Sequence, residues 1–379
     1  MPKLLNSYAE KAKSRKRIRD LGVKIGKLPT GKFNAITDVK GVQVGHTTLI
    51  EGTGKRKPGS GPVRTGVTTI LPSADIFHEK LIGGGFILNG AGEMSGMIQL
   101  NEWGILETPI ALTNTMSVGA VSDGIAEWMA AQFTDIQRGK QVIIPVVGEC
   151  DDSFLNDSAG LHVRKRHVKE ALDNVSGGPV QEGAVGAGTG MICSDLKGGI
   201  GTSSRIMKID GRSFTLGCLV LSNFGEIEDL RIDGIAIGPM IADELKDFTK
   251  RRENYGSIIT VLATDLPVSS GQIQRICKRA SLGIGRVGSY AAHGSGEIII
   301  GFSTANTIKT AEKKSFYKAE LLHDSAINIA YQAAVEVTEE AILNSLAAAV
   351  EMEGIEGNRA PALPLDKVAE IYRNKTKPI

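Results

Sequence analysis

Aromatic side chains make up only 5% of this 379-residue sequence, and its 44 lysines and arginines are nearly balanced by 42 aspartates and glutamates, for a formal net charge of +2. A nucleic-acid surface requires a concentrated basic face, with stacking rings where single strands are held, so the composition argues against a nucleic-acid partner. Cysteine is scarce. Cys150, Cys193, Cys218 and Cys277 are far apart and form no CxxC pair, so neither a zinc site nor a disulfide scaffold is indicated, and a reducing, cytoplasmic compartment is the simple reading. No run approaches the roughly 18 apolar residues of a membrane span, and the charged stretch from Lys3 to Arg19 lacks the apolar centre of a signal peptide. Phosphate loops are missing too. Gly54-Lys55 is followed by Arg56 rather than Ser or Thr. The Gly183 to Gly190 run has no strict GxGxxG order and follows a segment interrupted by Ser176-Gly177-Gly178-Pro179. Close backbone approach is the preferred account of that run, and no metal or organic cofactor is called for.

What is abundant is glycine, 46 residues, in a chain otherwise ordinary for a globular protein at 41% hydrophobic and 23% charged. No linker divides it, and a single domain is expected. Val67 to Leu71, Gly85 to Leu88, Ile110 to Thr113, Gln141 to Val147 and Gly217 to Ser222 read as strands. Helices are expected over Val121 to Phe133, Pro239 to Arg252, Ser269 to Leu282 and, broken once, Ala319 to Val350, with an extended strap and a short helix at the end. The basic residues among the first 20 read as a solvated helix.

One junction suggests chemistry. Gly256-Ser257 stands where a charged segment turns into the apolar, β-branched run Ile258 to Thr264, so Ser257 opens a buried strand. One reading is a turn entering the core. The other is a nucleophile that the chain frees by cutting itself, because a serine inside a strand has no base, whereas a new N-terminal serine carries an α-amine within reach of its own hydroxyl. Glu149, after the strand Gln141 to Val147, is by position alone a solvated carboxylate. Asn223, at a strand end, is by residue type a turn former. His293 reads as a loop residue.

Several long strings resemble the DmpA/BapA family of L-aminopeptidase/D-esterase and β-peptidyl aminopeptidase enzymes, and they keep its order: Asn34-Ala35-Ile36-Thr37-Asp38-Val39, Val44-Gly45-His46-Thr47-Thr48, Arg64-Thr65-Gly66-Val67-Thr68, Asn89 to Gly96, Thr113-Asn114-Thr115 with Ser117-Val118-Gly119, Leu155-Asn156-Asp157, Gly188-Thr189-Gly190-Met191, Lys197 to Arg205 and Gly256-Ser257. The resemblance implies a four-layer αββα sandwich of the type shared with ornithine acetyltransferase, self-cleaved into 1–256 and 257–379. It implies Ser257 as nucleophile, Asn223 in the oxyanion hole, Ser295 and Glu297 as the network that orients Ser257, and Glu149 as the carboxylate holding the substrate's free amine. Substrates would be small peptides, amides or esters with a free amino terminus, and the assembly a tetramer of cleaved protomers. Where relatives carry an aromatic residue, this chain has Asp151, which leaves the side-chain preference open. An acyltransferase of the ornithine acetyltransferase type, whose nucleophile is threonine, and a non-cleaving glycine-rich binding protein are the rival readings.

Overall fold

The computed structural model describes residues 2–248, 256–309 and 315–375. Among these residues the strands build a five-stranded front sheet and a six-stranded back sheet, stacked face to face. In spatial order the front sheet is β1 (Gln43–Glu51), β2 (Val63–Leu71), β6 (Ile110–Asn114), β7 (Val146–Cys150) and β4 (Met94–Ser95). The back sheet is β10 (Gly199–Ile209), β11 (Arg212–Asn223), β14 (Gly256–Thr264), β15 (Ser295–Lys309), β3 (Glu79–Gly90) and β5 (Ile105–Leu106). Helices α3 (Val118–Gln132) and α5 (Lys165–Asp173) cover the front sheet; α7 (Ser270–Arg286) and α8 (Asn328–Ala348) cover the back one. The order of layers is therefore αββα. Short ribbons β8/β9 (Ile192–Cys193, Leu196–Lys197), β12/β13 (Arg231–Ile232, Ile235–Ala236) and β16/β17 (Met352–Glu353, Arg359–Ala360) fill the rim. With them are α1 (Pro2–Lys13), α2 (Met97–Trp103), α4 (Thr134–Gln137), α6 (Gly238–Ile241) and α9 (Leu365–Lys375).

Strand β14 shows why the sequence folds this way. Alternate side chains on a strand face opposite sides, and both sides here are apolar. Ile259, Val261 and Ala263 enter the core between the sheets with Leu219, Leu221, Ile298 and Ile300. Ile258 and Leu262 enter the core beneath the helices with Ile276, Val337 and Ala341. β14 and β15 are parallel, a pairing that needs a crossover, and α7 supplies it. That helix starts at a reciprocal cap in which Ser269 Oγ accepts from the Gln272 N–H at 3.2 Å and Gln272 Oε1 accepts from the Ser269 N–H at 3.0 Å.

Three expectations need correction. The run from Gln141 is not a strand until Val146, because Pro145 cannot donate to a ladder and Val142 and Ile144 are exposed; Glu149 and Cys150 consequently lie inside β7 rather than beyond it. The helix from Pro239 is one α turn, followed by a 3₁₀ turn at Ala242–Leu245. In these two turns only Gly238 and Ile241 are buried, too little packing to propagate a helix; the rest of the expected helix, from 249, lies outside the described residues. The alanine-rich helix begins at Asn328 and is unbroken to Ala348, while the residues from 319 to 323 are irregular.

The N-terminal basic residues beyond α1 are also not simply solvated. Arg19 donates to both oxygens of Glu340, at 2.5 and 2.7 Å, and Arg205, wholly buried, donates to Glu340 Oε2 at 2.6 Å and to Glu336 Oε2 at 2.9 Å. Asn34 Nδ2 adds a bond to Glu340 at 2.5 Å, and Asn34 Oδ1 accepts from the Ser204 N–H at 2.9 Å. Burial alone would raise the Glu340 carboxyl, yet the hydrogen bond from Arg19 and the charges of Arg205 and Arg19 hold it below its ordinary range. Removing one partner of such a network leaves an uncompensated buried charge, worth about 3–5 kcal/mol. Glu340→Ala should lose stability of that order in urea unfolding; a loss under about 1 kcal/mol would mean the network is not what ties the N-terminal segment and α8 to β10.

Candidate active site

Ser257 is buried near the start of β14, and the antiparallel register places it opposite Asn223, the last residue of β11. Ser257 shares the face of Ile259 and Asn223 that of Leu221, so both point into the space between the sheets. The Asn223 amide is fixed at both ends: Oδ1 accepts from the Ile192 N–H at 2.8 Å and Nδ2 donates to the Asp151 carbonyl at 2.9 Å. That assignment settles which way the amide points and leaves the second Nδ2 hydrogen for another acceptor.

From the front sheet β7 brings Glu149 and Cys150. Glu149 is buried; its Oε1 accepts from the Glu93 N–H at 2.9 Å and its Oε2 accepts from the Thr115 hydroxyl. Burial raises this carboxyl above its ordinary range, against the two hydrogen bonds, and the charges of Asp151 and Glu93 push the same way. A carboxylate so placed favours a cation beside it. A Cβ on Gly92 would lie 3.1 Å from Glu149 Oε1 and 3.8 Å from the Cα of Gly296, so this glycine keeps open the gap between Glu149 and the back sheet. Cys150, which the sequence presents only as a redox clue, touches the site: its thiol interacts with the Ser257 hydroxyl, and burial, then the charge of Glu149, push the thiol well above its ordinary range. It stays un-ionised and is a poor nucleophile. The position of Asp151 also becomes concrete. Its carboxylate accepts from the Ser153 N–H at 2.9 Å and from the Ser153 hydroxyl at 2.8 Å.

On the other side of Ser257 the parallel register pairs it with Gly296 and pairs Gly256 with Ser295. Ser295 and Glu297 therefore flank the partner of Ser257, and the Ser295 hydroxyl donates to Glu297 Oε1. They share a face with Ile299, beneath the helices, whereas Ser257 opens between the sheets. Glu297 is buried, its Oε2 has no hydrogen-bond partner among the described residues, and burial raises its carboxyl. His293 sits exposed in the turn before β15. The Gly186–Gly190 turn is buried and packs against β1, β2 and β10, with no room for a phosphate: a Cβ on Gly188 would meet the Ile200 nitrogen at 2.5 Å.

An αββα sandwich with a serine opening a central strand, an oriented amide opposite it and a buried carboxylate across the gap is the layout of a hydrolase using an N-terminal nucleophile. Residues 34–360 match the model of peptidase family S58, and the chain belongs to that family. It is 40% identical to the β-peptidyl aminopeptidase BapA of Sphingosinicella microcystinivorans over 94% of this chain and 92% of that protein. Among solved structures it resembles the PH0078 protein of Pyrococcus horikoshii OT3, with a TM-score of 0.90, 46% identity and coverage of 96% and 100% of the two chains. It also resembles the L-aminopeptidase D-Ala-esterase/amidase of Ochrobactrum anthropi, described as a variant of the Ntn hydrolase fold, with a TM-score of 0.87, 39% identity and coverage of 95% and 98%. The chain is thus a hydrolase with aminopeptidase function, and the acyltransferase and binding-protein readings are set aside.

The raised Glu297 carboxyl carries a stability consequence. Between about pH 4.3, where a free glutamate titrates, and its higher folded value, the native state holds a proton that the unfolded chain has released, so stability falls as pH rises through this window. Glu297→Gln removes that ionisation. Compared in a Ser257→Ala background, so that both chains have the same covalent form, the glutamine variant should melt higher at pH 7, and the gain should shrink towards zero near pH 4. A variant that melts lower at pH 7 would refute this account of the carboxyl.

Proposed function

We propose that Ser257 is the nucleophile of this aminopeptidase and that the chain exposes it by cutting its own backbone between Gly256 and Ser257, giving fragments 1–256 and 257–379. The reading is carried by the pairing of Ser257 with Asn223 at the start of β14, where Cys150 of β7, the neighbour of buried Glu149, meets the Ser257 hydroxyl. Gly256 supports it, because a Cβ there would stand 2.6 Å from the Asn223 carbonyl oxygen and 2.7 Å from the Cα of Phe224, so only glycine fits the bond to be cut. In the cut, Ser257 Oγ attacks the Gly256 carbonyl carbon, the C–N bond breaks as an ester forms, and the nitrogen keeps the hydroxyl proton as a new α-amine. Water then hydrolyses the ester to a Gly256 carboxylate and a free Ser257 hydroxyl.

Turnover follows the same geometry. Glu149 binds the substrate's ammonium, and the neutral α-amine of Ser257, with a pKa of about 7.7 to 8.0 in model peptides, takes the proton of Oγ as it attacks the substrate carbonyl. The second N–H of Asn223 meets the oxyanion. The proton passes to the leaving amine, and water activated by the same α-amine hydrolyses the acyl-enzyme. Ser295 and Glu297 fix the strand end beside the new amine. Two of the named relatives are a β-peptidyl aminopeptidase and an L-aminopeptidase D-Ala-esterase/amidase; hydrolysis of a small peptide, amide or ester with a free amino terminus is what we assign here. By the same resemblance we assign a homo-oligomer, a tetramer of cleaved protomers, and from the cysteine usage a cytoplasmic location.

Two experiments test the reading. Purified protein should migrate as two fragments, the smaller beginning at Ser257 by N-terminal sequencing, and Ser257→Ala should remain whole; intact wild-type chain with full peptidase activity would sink the proposal. Glu149→Gln should still cut itself, since the cut involves no external amine, but should lose about 10- to 100-fold in kcat/KM on an amino-terminal amide, the value of a charged hydrogen bond. Wild-type turnover by that variant would remove Glu149 from the amine site.

A further inference from the structure

Lys197 closes β9 with a side chain that is wholly buried, and the hydrogen-bond partners of its ammonium among the described residues are backbone carbonyls rather than carboxylates. Its ammonium donates instead to three backbone carbonyls, those of Gly188 at 3.0 Å, Met191 at 2.8 Å and Gly198 at 2.8 Å. All three of its hydrogens are used. An unpaired buried charge costs several kcal/mol, and burial accordingly pulls this lysine down to about 7, against the charges of Cys193 and Asp152. Three carbonyl dipoles aimed at one point repel each other, and the ammonium is what lets the chain gather them there.

The carbonyls belong to one device. Gly188 and Met191 span the end of the Gly186–Gly190 turn and the residue after it, and the Gly198 N–H adds a 3.0 Å bond to the Met191 carbonyl. The turn has no slack elsewhere, since a Cβ on Gly190 would lie 2.3 Å from the Arg64 carbonyl oxygen. The next residue along is Ile192, whose N–H holds Asn223 Oδ1 at 2.8 Å. A lysine that fixes Met191 thereby fixes the donor that orients the asparagine opposite Ser257.

We infer that Lys197 is a positioning residue for the oxyanion: its ammonium locks the Gly188–Met191 turn so that the Ile192 N–H holds the Asn223 amide with its second hydrogen facing Ser257. This rests on the assignment of Asn223 made above. Lys197 touches neither substrate nor nucleophile, and its effect passes through the backbone.

The test compares matured wild type with Lys197→Met, which reproduces the side chain as far as Cε and lacks the ammonium. On an aminoacyl p-nitroanilide, kcat should fall about 10- to 100-fold, a fraction of the 10²–10³ lost when an oxyanion donor is removed outright. KM should change less than about threefold, because Glu149 is untouched. The discriminating readout is inhibition by the matching amino aldehyde, which adds Ser257 Oγ to give a tetrahedral oxyanion, set against the plain amine product, which meets only the ammonium site. Aldehyde affinity should weaken in step with kcat while amine affinity stays. Equal weakening of both, or a folded variant with kcat within threefold of wild type, overturns the inference. Should Lys197→Met not accumulate as folded chain, Lys197→Gln, whose amide can still reach a carbonyl, carries the same comparison and the same thresholds. The matured fraction of Asn223→Ala is assayed alongside. If it keeps aldehyde affinity, the oxyanion assignment fails; if it loses that affinity and the lysine variant does not, only the role of Lys197 fails.

Discussion

The site depends on the register of one strand. β14 is held antiparallel by β11 and parallel by β15, and those two ladders together set Asn223 on one side of Ser257 and Gly296 on the other. A slip of one residue would turn every side chain of the strand to the opposite face, sending Ser257 beneath the helices and Ile258 into the gap facing Glu149. The apolar residues prevent it. Ile259 and Val261 on one face and Ile258 and Leu262 on the other are all nearly fully buried. These four side chains, each worth about 1.5–3 kcal/mol when fully buried, would exchange shaped cavities. Placement of Ser257 is thus a consequence of core packing several residues further along.

Charge plays the complementary part, fixing segments that the hydrophobic layers alone leave undetermined. The Arg19, Asn34, Arg205 and Glu340 cluster links four separate stretches of chain, and Lys197 gathers three carbonyls of a fifth. Hydrophobic burial is non-directional, whereas each of these groups is satisfied in only one geometry. That difference explains why charged side chains appear where the fold needs a unique position, at the cost of desolvating them.

Several strands were legible in the sequence, since continuous apolar, β-branched runs such as Ile258 to Ala263 leave little alternative, whereas the four layers came from the resemblance. The strand carrying Glu149 was misplaced by several residues. An apolar run before Pro145 looks like a buried strand, and only tertiary packing reveals that Val142 and Ile144 stay outside. The Gly256-Ser257 junction drew notice by itself, but the resemblance supplied Asn223, Glu149, Ser295 and Glu297, which neither periodicity nor spacing would have joined to it, because these residues come from four strands of two sheets. Cys150, Thr115 and the Ile192 N–H went unread. A backbone donor has no sequence signal at all, and a lone cysteine says nothing of the serine it meets across the sheets. Some matching strings also mean something other than chemistry: Asn34, Lys197 and Arg205 hold the frame.

The neighbourhood of Ser257 bears on why a hydroxyl, rather than the thiol in contact with it, suits this position. Cys150 needs to ionise to attack, and burial together with the negative charge of Glu149 opposes exactly that step. A serine with its own α-amine is never required to carry a full charge in advance, because the proton leaves as the new bond forms. In the proposed mechanism, the low-dielectric setting that silences the thiol strengthens the contact between the Asn223 amide and the oxyanion. The same setting bears on the amine site proposed at Glu149. With its carboxyl raised by burial, Glu149 gains most from a partner that carries a positive charge, and an incoming ammonium both satisfies the carboxylate and draws its titration back down. A neutral or acidic terminus offers no such return, so the proposed recognition of a free amine would follow from the burial of one carboxylate.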